Sequence, residues 1–156
     1  MGSTMKNKIH TIEVENNETK SVEKIIEKIR ENKIIYVKNK FYKDEDVLDS
    51  IPENGPAIIL NSSGSSGKPR KCFHHLDNLQ LSAITSGKWL IEQGFELQKC
   101  LILNTLPLNH ISGLMPIFRS QTWGCECINI SPTFLKPIKN SFGFKLVTIA
   151  AVSVEP

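Results

Sequence analysis

From Ile9 to Val14 apolar and polar residues alternate, and Val22, Ile25, Ile26 and Ile29 then recur at helical spacing. Side chains repeat every two residues along a strand and about every 3.6 along a helix, so the chain opens with a strand and then a helix. The helix is expected over Thr19 to Asn32, with Thr19 or Ser21 as its N-cap. Glu23, Lys24, Glu27, Lys28 and Glu31 cover its other face, as solvated charge on a packing helix would. Lys33 to Lys38 is β-branched and strand-like, and Lys43 to Ile51 is acidic, a short helix or loop. Pro52 to Pro56 (PENGP) is a turn cluster and the best internal boundary.

Beyond it the apolar runs shorten and tighten. Ala57 to Leu60 is continuous, the pattern of a strand buried on both faces. Cys72, Phe73, His74 and His75 form a further short strand. Asp77 to Gln93 is a long helix with Leu79, Ile84, Trp89 and Leu90 among its apolar residues and Asp77 as cap. Leu101 to Leu103 is a second buried strand, Met115 to Thr122 a helix ending near Gly124, and Glu126 to Ile130 and Lys145 to Ala150 two more strands. Apolar strands alternating with helices predict an α/β fold, a mostly parallel sheet flanked by helices. The division expected is a short α/β segment over residues 1–55 and a larger unit over 56–156.

At 156 residues, 40% hydrophobic and 22% charged, the chain has the composition of one ordinary globular domain. No apolar run approaches the ~20 residues that span a bilayer, and MGSTMKNKIH has no apolar signal core, so a cytoplasmic location is the expectation. Met5 is an alternative natural start. Residues 1–55 carry ten Lys/Arg against eleven Asp/Glu, while residues 56–156 carry nine against five, a net of +4. The surplus is mild and its cations are not massed with aromatics, which suits a small anion better than nucleic acid. Cys72, Cys100, Cys125 and Cys127 are expected as reduced thiols. Cys125-Glu126-Cys127, with His74 and His75 elsewhere, is the only zinc-like grouping. Strand alternation and the short gap argue against a metal site there, so none is expected.

The stretch Asn61 to Lys71, NSSGSSGKPRK, has two readings: a flexible spacer or an anion loop. A spacer should have polar, undemanding neighbours. This one leaves a buried strand and ends in Lys68, Pro69, Arg70 and Lys71. Glycines let backbone N–H groups converge on oxygens, serine hydroxyls add donors, and Lys68 and Arg70 add countercharge. The anion loop is favoured. It is not a Walker loop, because that pattern wants Gly at 62 and Ser or Thr at 69, where the chain has Ser62 and Pro69.

Ser62 to Lys71, SSGSSGKPRK, resembles the signature [ST]-[SG]-G-[ST]-T-G-x-P-K-G of adenylate-forming (AMP-binding) acyl-CoA synthetases and luciferase-like ligases; eight of ten positions agree if Ser stands for Thr. Leu106 to Leu114, LPLNHISGL, resembles the family's next motif, L-P-[LM]-[FY]-H-[VI]-x-G-[LMF], at about the family distance. The resemblance implies that Ser62, Ser63, Gly64, Ser65, Ser66, Gly67, Lys68 and Arg70 bind ATP phosphates. It implies that His110, with Lys68 the residue assigned to catalysis, lies beside the acyl substrate, and that Ile111, Ser112 and Gly113 line its pocket. The substrates implied are a carboxylic acid, ATP with Mg2+, and CoA. The short lead before the loop looks more like some o-succinylbenzoate–CoA ligases of quinone biosynthesis.

Several positions depart from the pattern. Arg70 stands for a lysine, Lys71 for a glycine and Asn109 for an aromatic residue, while the family histidine behind the loop would fall at Leu76 rather than His74 or His75. The later family motifs for adenine, ribose, magnesium and the C-terminal lysine are not found in residues 131–156. The chain therefore looks like the front portion of a larger enzyme. Its alternative reading is an inactive relative that keeps an anion-binding or interaction role. A sheet cut partway would leave an open edge and favour self-association.

Overall fold

The structure is a computed structural model that describes residues 9–15, 19–41, 55–62 and 70–130. Strand β1 (Ile9–Val14) runs parallel to β2 (Ile34–Asn39), with Ile9 beside Ile34 and Val14 beside Asn39. Helix α1 (Thr19–Arg30) is the crossover between them. Ile25 is fully buried, and Val22, Ile26 and Ile29 pack on the same core, as their spacing predicts. On the outer face Lys28 pairs with Glu27 at 3.1 Å and Glu31 at 2.9 Å, contacts whose exposure leaves them worth little. Neither predicted residue is the N-cap: Thr19 is already helical and Ser21 is buried in the first turn, where the helix meets the core. The helix stops because Asn32 takes a left-handed φ of 54°, which lets the Lys33 N–H reach back to the Lys28 carbonyl at 3.1 Å.

Strand β3 (Ala57–Ser62) adds parallel to β2, with Ile35 beside Ile58, and β4 (Arg70–His75) returns antiparallel, giving the order β1-β2-β3-β4. The apolar run of β3 is buried on both faces. Ile58 and Leu60 join Ile35 and Ile25 on the helix side, while Ile59 joins Ile34 and Tyr36 on the other. Because β2 pairs with β3, the stretches before and after the PENGP turn build one sheet. The described end of that turn, Gly55, has φ 78°, a conformation that suits glycine.

Helix α2 (Leu76–Glu92) follows β4 directly. The expected cap, Asp77, lies inside the first turn, where its charge still favours the helix N-terminus; His75 occupies the cap position without a side-chain bond. The Leu76 N–H is satisfied instead by the Pro56 carbonyl at 3.2 Å. Leu79 and Leu90 are buried as read, but Trp89 is 59% exposed and Ile84 37%. Strand β5 (Leu101–Asn104) and β6 (Glu126–Asn129) form a second, two-stranded parallel sheet, so the layer anticipated from the sequence is two sheets among the described residues. The class is α/β and mostly parallel: among the described residues only β3 and β4 pair antiparallel.

Helix α3 (Ile111–Trp123) begins four residues before the predicted Met115 and ends at left-handed Gly124 as expected. It packs on α2 at Gly87, where an added Cβ would lie 2.6 Å from the Trp123 Nε1. The buried indole N–H donates to the Ala83 carbonyl at 2.8 Å. Residues 43–51, most of the PENGP turn, and the strand expected over 145–150 lie outside the described residues. Among the described residues no helix is long and apolar enough to cross a membrane.

Candidate functional site

The serine-glycine loop is the connection of a hairpin. Ser62 and Arg70 sit opposite each other in the last register pair of β3 and β4, and residues 63–69 bridge them. Ser63, Gly64, Ser65, Ser66, Gly67 and Lys68 lie outside the described residues. The loop leaves the C-terminal end of β3, whose parallel neighbours β1 and β2 end on the same side, the side where open α/β sheets take ligands. A strand, not a helix, follows Pro69, as its backbone restriction predicts and unlike a Walker loop. Arg70 is exposed at the loop's base. Lys71 lies over the Tyr36 ring, 5.4 Å from its centroid, and the Tyr36 hydroxyl bonds Asn61 Oδ1 at 3.2 Å.

The second motif is a tight turn that opens α3. His110 precedes the helix in an extended conformation (φ −121°, ψ 151°), and its N–H bonds the Pro107 carbonyl at 3.1 Å. Its carbonyl accepts the N–H groups of Gly113 and Leu114 at 3.0 and 3.1 Å. The half-buried imidazole therefore stands at the positive end of a 13-residue helix, beside Ile111 and Ser112. Gly113 is obligatory: a Cβ there would lie 2.1 Å from the Pro107 carbonyl oxygen. Pro116 has no N–H to return to the Ser112 carbonyl four residues earlier, which leaves that oxygen open for another donor. His110, Ile111, Ser112 and Gly113 are thus brought together in one turn. Among the described residues no hydrogen bond or ion pair joins them to Ser62 or Arg70.

Two residues here were not singled out by sequence. Asn104, at the end of β5, is 1% exposed. Its Nδ2 donates to the Gly113 carbonyl at 2.8 Å and to Asn129 Oδ1 at 2.7 Å, while its Oδ1 accepts the Leu106 N–H at 3.1 Å. One side chain thereby ties β5, β6, the turn and α3. Arg119 is the other. Its Nε is buried without a hydrogen-bond partner among the described residues, and burial lowers its pKa from the ordinary guanidinium value. Seven residues on from Ser112, it shares that residue's face of α3. A polar residue inside an apolar strand end signals Asn104; for Arg119 the signal is a lone cation at the predicted helix's core-facing end.

Leu76, where the family histidine behind the loop would fall, is a buried core residue. His74 and His75 end β4 as expected, both half-buried, and burial lowers the His74 pKa. The cysteine reasoning needs a correction: Cys125 and Cys127, two apart, share a side and both pack on Leu90, Ile102 and Trp123. Among the described residues no group of three His, Cys, Asp or Glu side chains is placed to hold a metal ion.

No protein-family model matches the chain. It is 32% identical over 105 residues to the 2-succinylbenzoate–CoA ligase of Bacillus licheniformis, a match covering 67% of this chain. The chain spans 21% of the length of that curated relative. Among solved structures it is similar to the O-succinylbenzoate coenzyme A synthetase of Bacillus subtilis in complex with AMP, at 17% identity and a TM-score of 0.45 over 76% of this chain and 33% of that one. The same enzyme with ATP and magnesium ion gives 20% identity and a TM-score of 0.41 over 79% and 39% of the two chains. Over the stretch shared with the curated relative, the chain is similar in sequence to an o-succinylbenzoate–CoA ligase, in keeping with the adenylate-forming resemblance of its two motifs.

Proposed function

We propose that the chain carries the phosphate loop and part of the acyl pocket of an ATP-dependent acid–CoA ligase. In that reaction a carboxylate attacks the α-phosphorus of ATP, pyrophosphate leaves, and the thiol of CoA then displaces AMP from the acyl-adenylate. Ser62 to Lys68, with Arg70 at the hairpin's base, would surround the leaving pyrophosphate with N–H groups, hydroxyls and positive charge. His110 would orient the acyl group at the start of α3. The described residues offer no carboxylate cluster fit for magnesium, so no step here is assigned to it.

The observation that carries the reading is Arg119. A buried guanidinium nitrogen with no partner among the described residues is costly, and a carboxylate on the acyl substrate would supply one. On the face of α3 that also presents Ser112, it favours an acid with a second carboxylate, the chemistry of o-succinylbenzoate. A cytoplasmic setting and small-molecule partners go with this reading. The test is pyrophosphate release by the intact ligase that contains these residues: Lys68→Ala with Ser65→Ala should abolish most of it, and unchanged release would remove the loop's role.

The alternative reading is an anion-binding module without turnover. Binding of pyrophosphate to the chain itself, lost when residues 62–68 are scrambled, with no adenylate formed, would select it.

A further inference from the structure

Three of the four cysteines gather on one side of the small sheet. Leu101 is the register partner of Glu126 and Ile102 of Cys127, so one step earlier Cys100 stands abreast of Cys125. Cys100 is extended (φ −78°, ψ 149°) and so continues β5 backward. Two residues from Ile102, it shares that residue's face, on which Cys125 and Cys127 also pack. Neighbouring parallel strands lie about 4.8 Å apart, inside the roughly 4.4–6.8 Å Cα separation that a disulfide spans. Cys127 lies in β6 and Cys125 directly before it; two steps of extended chain put their Cα atoms ~6.6 Å apart, at the limit of that range.

We propose that Cys100 and Cys125 form a redox-closable pair whose disulfide staples β5 to β6. The oxidant is hydrogen peroxide. The half-buried Cys125 thiolate attacks the peroxide O–O bond and becomes a sulfenic acid as one water leaves. The buried Cys100 thiolate then attacks that sulfur, the S–O bond breaks, and a second water carries the oxygen away. Two thiols and one hydrogen peroxide thus become one disulfide and two waters. Burial raises the pKa of both thiols, and each is a neighbour that Cys125 or Cys127 feels, so closure is slow near neutral pH and faster in base. The loop it closes holds Asn104, His110, Ser112 and Arg119, so the staple would rigidify the whole turn; the pairing itself does not depend on the ligase reading.

The full chain, treated with hydrogen peroxide at mildly alkaline pH and then with N-ethylmaleimide, should lose two hydrogens in mass and two alkylatable thiols. Trypsin with a glutamate-specific protease cuts at Glu126, between Cys125 and Cys127, and should yield a Cys100–Cys125 linked peptide. The oxidised chain should melt several degrees higher, and Cys127→Ala should still cross-link while Cys100→Ala should not. A Cys125–Cys127 or Cys72 linkage, or recovery of Cys100 and Cys125 as separate maleimide or oxygen adducts from wild-type chain, would overturn the proposal.

Discussion

Asn104 Nδ2 donates to the Gly113 carbonyl at 2.8 Å, joining the end of β5 to the first turn of α3 across the loop that carries His110. The bond is buried, and the same side chain also holds the Leu106 N–H and Asn129. A hydrogen bond of this kind contributes about 1 kcal/mol, but truncating one partner leaves buried groups unpaired at a cost of about 1–3 kcal/mol. Asn104→Ala strands at least two such groups. It should lower the stability of the chain by roughly 3 kcal/mol in a urea titration, and a loss below about 1 kcal/mol would show the network to be incidental.

Gly113→Ala should be worse. The added methyl would meet the Pro107 carbonyl oxygen, a backbone atom that cannot rotate away as a side-chain tip can. The turn would have to open, moving His110 with it. The expected result is a loss of about 4 kcal/mol or more, or a chain that does not fold. Gly94→Ala is the control: φ is 83° there but nothing lies within 4 Å, so only backbone strain of about 1 kcal/mol is added. Similar losses in the two variants would refute the close-packing account.

The sequence carried the positions of most elements because they rest on local signals. The β3 run, the α1 stripe and the stop at Gly124 each follow from spacing or backbone preference. The errors come from tertiary contacts. Helix α3 reaches back to Ile111 because the His110 carbonyl is free to receive the Gly113 and Leu114 N–H groups, a fact of turn geometry that apolar periodicity does not register. Trp89 is apolar yet exposed, because the inner face of α2 is taken by Leu79, Ala83, Gly87 and Leu90. For the candidate site, motif order picked out His110 to Gly113. It did not pick out Asn104 or Arg119, which are defined by what surrounds them.

Arg119 separates stability from recognition. Replacing it with Met keeps the apolar stem and deletes the orphaned nitrogen, so the ligand-free chain should hold or gain on the order of 1 kcal/mol in a urea titration. In the intact ligase the same change should raise KM for a dicarboxylic acid at least tenfold and leave KM for ATP unchanged. Arg119→Lys keeps the charge without the fork and should fall between. A destabilised free chain, or equal effects on both substrates, would remove Arg119 from acid recognition.

His74 supplies a pH dependence. Burial lowers its pKa in the folded chain below the ordinary 6.5, so the folded form prefers the neutral ring. Between the depressed folded value and 6.5 the unfolded chain binds more protons, and stability therefore rises with pH across that window. The contribution is complete above 6.5 and is lost as the pH falls toward the folded value. His74 pairs with Ile58, one step in from the end of the β3–β4 ladder that lies away from the loop, so the loss would fall on the β3–β4 pairing at that end. Urea midpoints taken between pH 7 and pH 5 should decline for the wild-type chain and decline less for His74→Gln. Parallel pH profiles for the two would assign the acid sensitivity to other groups.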